Sequence, residues 1–194
     1  MDSQIILKLR EMTGLGMLDC KKALDETGGD VEKAIDYLRK KGELKAAKKS
    51  AERTAKEGII HAYIHAGGKV GVLLQLNCET DFVARNQEFE DLAHTLAMHI
   101  AAAQPLYVKA EDVPSDVLER EMDVYREQLK KEGKPENMIE KILSGKVAKY
   151  YEEVCLLNQP FIRDDKKKVE QIIAEAVAKI GEKIEVGRFT RYQI

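Results

Sequence analysis

The chain has 194 residues, 44% of them hydrophobic and 34% charged, with 32 Lys+Arg against 34 Asp+Glu and a formal net charge of -2. That length suits one ordinary domain, or a small domain joined to a larger one, and the balance of charge excludes both a basic nucleic-acid coat and a polyacid tail. The longest apolar runs, Val72-Leu73-Leu74 and Val154-Cys155-Leu156-Leu157, fall far short of the ~20 residues of a membrane span, and the N-terminus has no apolar signal core, so a cytoplasmic protein with no membrane partner is expected.

Three short helical patterns open the chain: Ile5, Ile6, Leu9 and Met12; then Leu18, Ala23 and Leu24; then Val31, Ala34, Ile35 and Leu38. Each set is spaced for one helix face, and Ser3 and Asp30 are N-cap residue types at the starts of the first and third. Thr13-Gly14-Leu15-Gly16 and Gly28-Gly29 separate them, and Gly42 reads as the end of the third. Residues 1–42 are therefore expected to form a three-helix domain, near the lower size limit for independent folding. Residues 43–57, rich in Ala, Lys and Glu without an apolar stripe, favour helix but offer little to bury, and read as a linker.

After Gly58 the period changes to two. Ile60, Ala62 and Ile64, a Gly67-Gly68 turn, and then Val70, Val72, Leu74 and Leu76 predict an antiparallel hairpin. Phe89, Leu92, Ala93, Leu96, Ala97, Ile100 and Ala101 predict a helix that stops before Pro105. Two further stripes, one through Val117, Leu118, Met122, Tyr125 and Leu129 and one from Met138 to Val154, are divided by Gly133 and Pro135 and predict an antiparallel helical pair. A last helix runs from Val169 to Ile180, and Ile184, Val186 and Phe189 in a β-rich tail predict a strand beside the hairpin. Residues 58–194 then make an α+β core, a small antiparallel sheet packed with helices.

Among enzyme signatures, a GxxxxGKS/T phosphate loop, GxGxxG after a strand, HExxH and GxSxG are all lacking from the sequence. His61 and His65 share one strand face, which is conceivable for a metal, yet no carboxylate stands at ligand spacing and structural histidines are the plainer reading. His94 and His99, five apart on a helix, do not project together. The three cysteines, Cys20, Cys78 and Cys155, are widely separated, and read as reduced, buried thiols rather than a disulfide framework, a zinc clip or, at Cys20, a nucleophile. Lys45, Lys48, Lys49 and Arg53 are offset by Glu43, Glu52 and Glu57 and lack interleaved aromatics, so a solvated face is favoured over direct nucleic-acid contact.

Two stretches carry more. In Gly14-Leu15-Gly16-Met17-Leu18-Asp19-Cys20, two large apolar residues follow flexible glycines at a helix start; both can be core, or one can face out. In Thr80-Asp81-Phe82-Val83-Ala84-Arg85, a polar pair caps a short helical turn that carries one of only 4 phenylalanines, which can plug the core or stand at an exposed tip.

These two stretches, the first extended from Leu9 to Leu24, resemble the two signatures of the elongation factor Ts family, and the resemblance continues through Asn77-Cys78-Glu79, Gln159-Pro160-Phe161 and Arg188-Phe189. It implies a guanine-nucleotide exchange factor for elongation factor Tu, binding the GDP-bound and nucleotide-free partner, with no catalytic residue, metal or cofactor of its own. It also implies that residues 1–42 resemble a ubiquitin-associated domain, that Met17 and Leu18 meet the partner's GTPase domain, and that Thr80, Asp81, Phe82 and Val83 intrude beside its magnesium site. Leu15 stands where many members have Ala, and the passage from the Phe89–Ala101 stripe into Gln104-Pro105 resembles the family's short form, in which one core repeat is missing and a homodimer supplies it. An open edge of the small sheet is the expected seam. Two other readings remain at this level: a ubiquitin-associated-like module for a different protein partner, in which Phe82 matters little, and a small metal enzyme built on His61 and His65.

Overall fold

The computed structural model describes residues 3–194, with the side chains of 43–52 outside the described residues. The fold is α+β. Its helices are α1 (Ser3–Thr13), α2 (Met17–Glu26), α3 (Val31–Glu52), α4 (Asp81–Ala84), α5 (Gln87–Ala103), α6 (Ser115–Lys131), α7 (Glu136–Val154) and α8 (Val169–Ile180). The strands are β1 (Glu57–Ile64), β2 (Val70–Cys78), β3 (Pro160–Phe161), β4 (Asp164–Lys168) and β5 (Glu185–Gln193). One sheet has the order β1-β2-β5, so the predicted tail strand does lie beside the hairpin, and β3 and β4 pair antiparallel in a second. Two compact units divide the chain, one made of the segment ending at His61 with Gln75–Ala93 and Gln171–Val186, the other of Ala62–Leu74, His94–Glu170 and Gly187–Ile194.

In the first unit α1, α2 and α3 close over a core of Ile6, Leu9, Cys20, Ala23, Leu24, Ala34 and Leu38. Gly14, at φ 68, ends α1 and donates its N–H to Arg10 O at 2.7 Å, the left-handed C-cap that glycine adopts without Cβ strain. Asp30 caps α3 by accepting from Lys33 N at 3.1 Å, and that bond together with the Lys33 ammonium holds its carboxyl below the ordinary value. Met12 departs from its stripe and is exposed, because α1 buries only the turn around Ile6 and Leu9. Gly42 does not end the third helix: α3 continues to Glu52. Ala, Lys and Glu there are strong helix formers, and Gly42 is buried with the place of its missing Cβ 3.3 Å from the Ala178 methyl, so it is small for packing against α8. Whether Lys45, Lys48 and Lys49 form a solvated face lies outside the described residues.

Gly58 has a different reason. At φ 152 it lies against β2, where a Cβ would stand 2.2 Å from Leu76 O, a position closed to any other residue. In the second unit α6 and α7 pair through Leu129, Ile139 and Leu143, with Tyr125 and Ile142 against them. Lys146 Nζ lies 4.8 Å over the Tyr125 ring, and burial, ahead of a hydrogen bond to Glu121, pushes the Tyr125 phenol up to about 12.

Buried His99 on α5 holds the β3 turn. Gln159 Nε2 donates to Ala103 O at 3.2 Å and Glu153 O at 2.7 Å, so its Oε1 accepts from His99 Nε2 at 2.9 Å, while His99 Nδ1 accepts from Ile162 N at 3.4 Å. This arrangement is satisfied by the neutral ring, and burial lowers the His99 pKa in the same sense. His94 instead meets the Tyr63 ring edge-on at 5.4 Å, so the two histidines point to different neighbours.

Candidate functional site

The segment 78–86 is built around the end of β2. Cys78 is buried, and its Sγ donates to Thr80 O at 3.1 Å. Burial first and Glu182 second push this thiol up to about 11, and burial does the same at Cys155, so neither is a thiolate nucleophile near neutral pH. Thr80 is extended (φ -128, ψ 153) and caps α4, its Oγ1 accepting from Val83 N at 3.4 Å and its carbonyl from Ala84 N at 3.2 Å. Asp81 pairs with Arg85 at 3.0 Å across one turn, an exposed pair of small worth. Ala84 alone is buried. Val83 is half-buried, while Phe82 is 85% exposed and stands at the tip, so the core-plug reading does not hold.

The turn is tied from 102 and 103 residues away by groups that no local pattern joins. Glu182, just past Gly181 at φ 94, accepts from Glu79 N and Thr80 N on Oε2, each at 3.1 Å, and from Thr80 Oγ1 on Oε1 at 2.7 Å. Glu79 in turn accepts from Lys183 N at 2.6 Å and from Arg53 Nη1 at 3.1 and 3.2 Å. A local pattern cannot flag such partners, because each is an ordinary charged residue in a turn.

The N-terminal candidates are exposed as well. Met17 is 41% and Leu18 75% exposed at the start of α2, while Leu15 packs on the three-helix core and Cys20 is buried. Both apolar residues face out, where the pattern alone allowed one. Lys179 of α8 borders the first stretch: its side chain runs along Gly14, leaving 2.9 Å between its Cε and the place of a Cβ, while its Nζ meets Glu88 Oε1 of α5 at 2.6 Å.

Around His61 and His65 the geometry suits no metal: His65 Nδ1 is hydrogen-bonded to Tyr63 OH at 3.0 Å, and among the described residues no three His, Cys, Asp or Glu are grouped to hold an ion. No helix among the described residues is long and apolar enough to cross a membrane.

The molecule is thus a two-unit α+β protein with exposed apolar side chains at the start of α2 (Met17, Leu18) and at the tip of the tied turn after β2 (Phe82). The model of the family described as Elongation factor TS matches residues 17–194, and the chain belongs to the elongation factor Ts family. It is 60% identical over 190 residues to an elongation factor Ts of Thermotoga petrophila, covering 98% of this chain and 94% of that one. It is 57% identical to those of Moorella thermoacetica (96% of this chain, 91% of that one) and Geobacter metallireducens (96% and 86%). The family is one of translation elongation factors and places the chain in protein biosynthesis.

Proposed function

We propose that this chain is a guanine-nucleotide exchange factor of the bacterial cytoplasm, which binds elongation factor Tu with GDP, disturbs its magnesium and phosphate site and holds the nucleotide-free state until GTP enters. The observation that carries this reading is Phe82: a large aromatic side chain, 85% exposed, at the tip of a tied turn. Residues 1–42 act as a docking module of ubiquitin-associated type through Met17 and Leu18, residues 43–57 join it to the core, and residues 58–194 carry Thr80, Asp81, Phe82 and Val83 to the partner.

No bond-making chemistry is required of the chain. GDP in a GTPase is held by a phosphate loop and by Mg²⁺ shared between phosphate oxygens and protein ligands, so a wedge that displaces those ligands removes much of the nucleotide's binding energy. Coupling is reciprocal: a factor that weakens GDP binding is itself bound less tightly once nucleotide returns. A single coupling of about 1–3 kcal/mol changes affinity only ~5- to 150-fold, which favours a grip from both exposed stretches acting together.

The chain functions as a homodimer in this reading. Support comes from the β1-β2-β5 sheet, where Ile64, Leu73 and Tyr192 are exposed and line one groove of the second unit, an apolar surface suited to a second copy.

The deciding experiment is the release rate of a fluorescent GDP analogue from elongation factor Tu. The natural chain should accelerate release, and the Asp81→Ala/Phe82→Ala variant should bind while accelerating far less. An unchanged rate with the natural chain overturns the assignment and favours a docking module with another partner.

A further inference from the structure

We propose that Glu182 is a positioning residue for exchange: its carboxylate, locked reciprocally with Glu79, sets the pose of the turn that carries Phe82. This inference rests on the exchange reading above. A helix of four residues such as α4 cannot hold itself, because forming the first turn is the unfavourable step of helix formation. Phe82 is exposed, so packing does not orient it, and the Thr80 cap bond to Val83 N is long at 3.4 Å.

Beside the buried Ala84 and the Cys78 Sγ bond to Thr80 O, the charged anchor at the base of the turn is Glu182. Its two oxygens take the N–H groups of Glu79 and Thr80 and the Thr80 hydroxyl hydrogen. A hydroxyl has one hydrogen, so committing it to Glu182 leaves the Thr80 oxygen lone pairs for the helix N-terminus. Bonds to a carboxylate are roughly twice as strong as neutral ones. The arrangement is closed from the other side, since the Glu79 carboxylate takes the Lys183 N–H, and Lys183 Nζ donates to Arg53 O at 3.0 Å while pairing with Glu185 at 2.9 Å. Each carboxylate thus holds the backbone of the segment that bears the other. Three remote segments, at 53, at 79–80 and at 182–183, meet at the base of one turn.

The test measures GDP-analogue release from elongation factor Tu against concentration of the full-length chain, for the natural sequence, Glu182→Ala, Glu182→Gln, Phe82→Ala and Phe82→Ala/Glu182→Ala, with melting temperatures alongside. Glu182→Ala should lower the maximal release rate about tenfold, inside the range for coupled neighbours, with a half-saturating concentration within about twofold of natural. Glu182→Gln, which keeps one acceptor oxygen, should fall between, and carries the test if the alanine variant does not fold. In the Phe82→Ala background the Glu182 change should have no further effect, because a positioning residue has nothing left to position. A Glu182→Ala chain as fast as natural overturns the inference alone, and so does a loss of equal size with and without Phe82. A natural chain that leaves release unchanged overturns the exchange reading and this inference with it.

Discussion

Phe82 and Phe89 lie seven residues apart, and one is almost wholly exposed while the other is fully buried. Phe89→Ala should therefore cost about 3–5 kcal/mol in urea unfolding, and Phe82→Ala less than about 0.5 kcal/mol while it abolishes most of the acceleration of GDP release. That contrast was half legible: the scarcity of aromatics singled out Phe82, but only the turn's geometry decides that it points away from the core. Met17 and Leu18 are similar, since glycine spacing marked them and burial of Cys20 and Leu15 turned them outward. His99 was not legible as a structural residue, because Gln159 lies 60 positions away. Its lowered pKa means that the unfolded chain binds the extra proton first. The neutral ring's contribution is whole above the unfolded value near 6.5 and is lost as pH falls through that value toward the lower folded one. Melting temperature should drop between pH 7.5 and pH 5, and His99→Gln should flatten that slope.

At the scale of elements, long apolar stripes told the truth about α5 and α8, and alternation told it about the hairpin. The strand β4 was invisible because its sequence, Asp164-Asp165-Lys166-Lys167-Lys168, has no alternation to read; it pairs with β3, whose turn His99 and Gln159 hold. The overrun of α3 past Gly42 has the opposite cause: a glycine normally read as a stop is here a contact with Ala178. Gly58 supplies a sharp test of strand packing. Gly58→Ala has no room at 2.2 Å from Leu76 O, and chemical denaturation should show a loss of at least ~2 kcal/mol.

For the whole molecule, the proposed dimer has its own measurement. Leu73→Glu places a charge in the apolar groove beside Ile64 and Tyr192, and sedimentation should then report a monomer where the natural chain sediments as a dimer. Full burial of Cys20, Cys78 and Cys155 has a practical consequence. A thiol-disulfide reagent such as an aromatic disulfide should find no reactive sulfur in the folded chain and three in the unfolded one, so slow labelling becomes a clock for spontaneous opening, read sulfur by sulfur by mass spectrometry. The same silence leaves the sulfur of a Gln87→Cys variant, exposed near the turn and away from Phe82, as the single attachment point for a dye that reports on the surroundings of the tip.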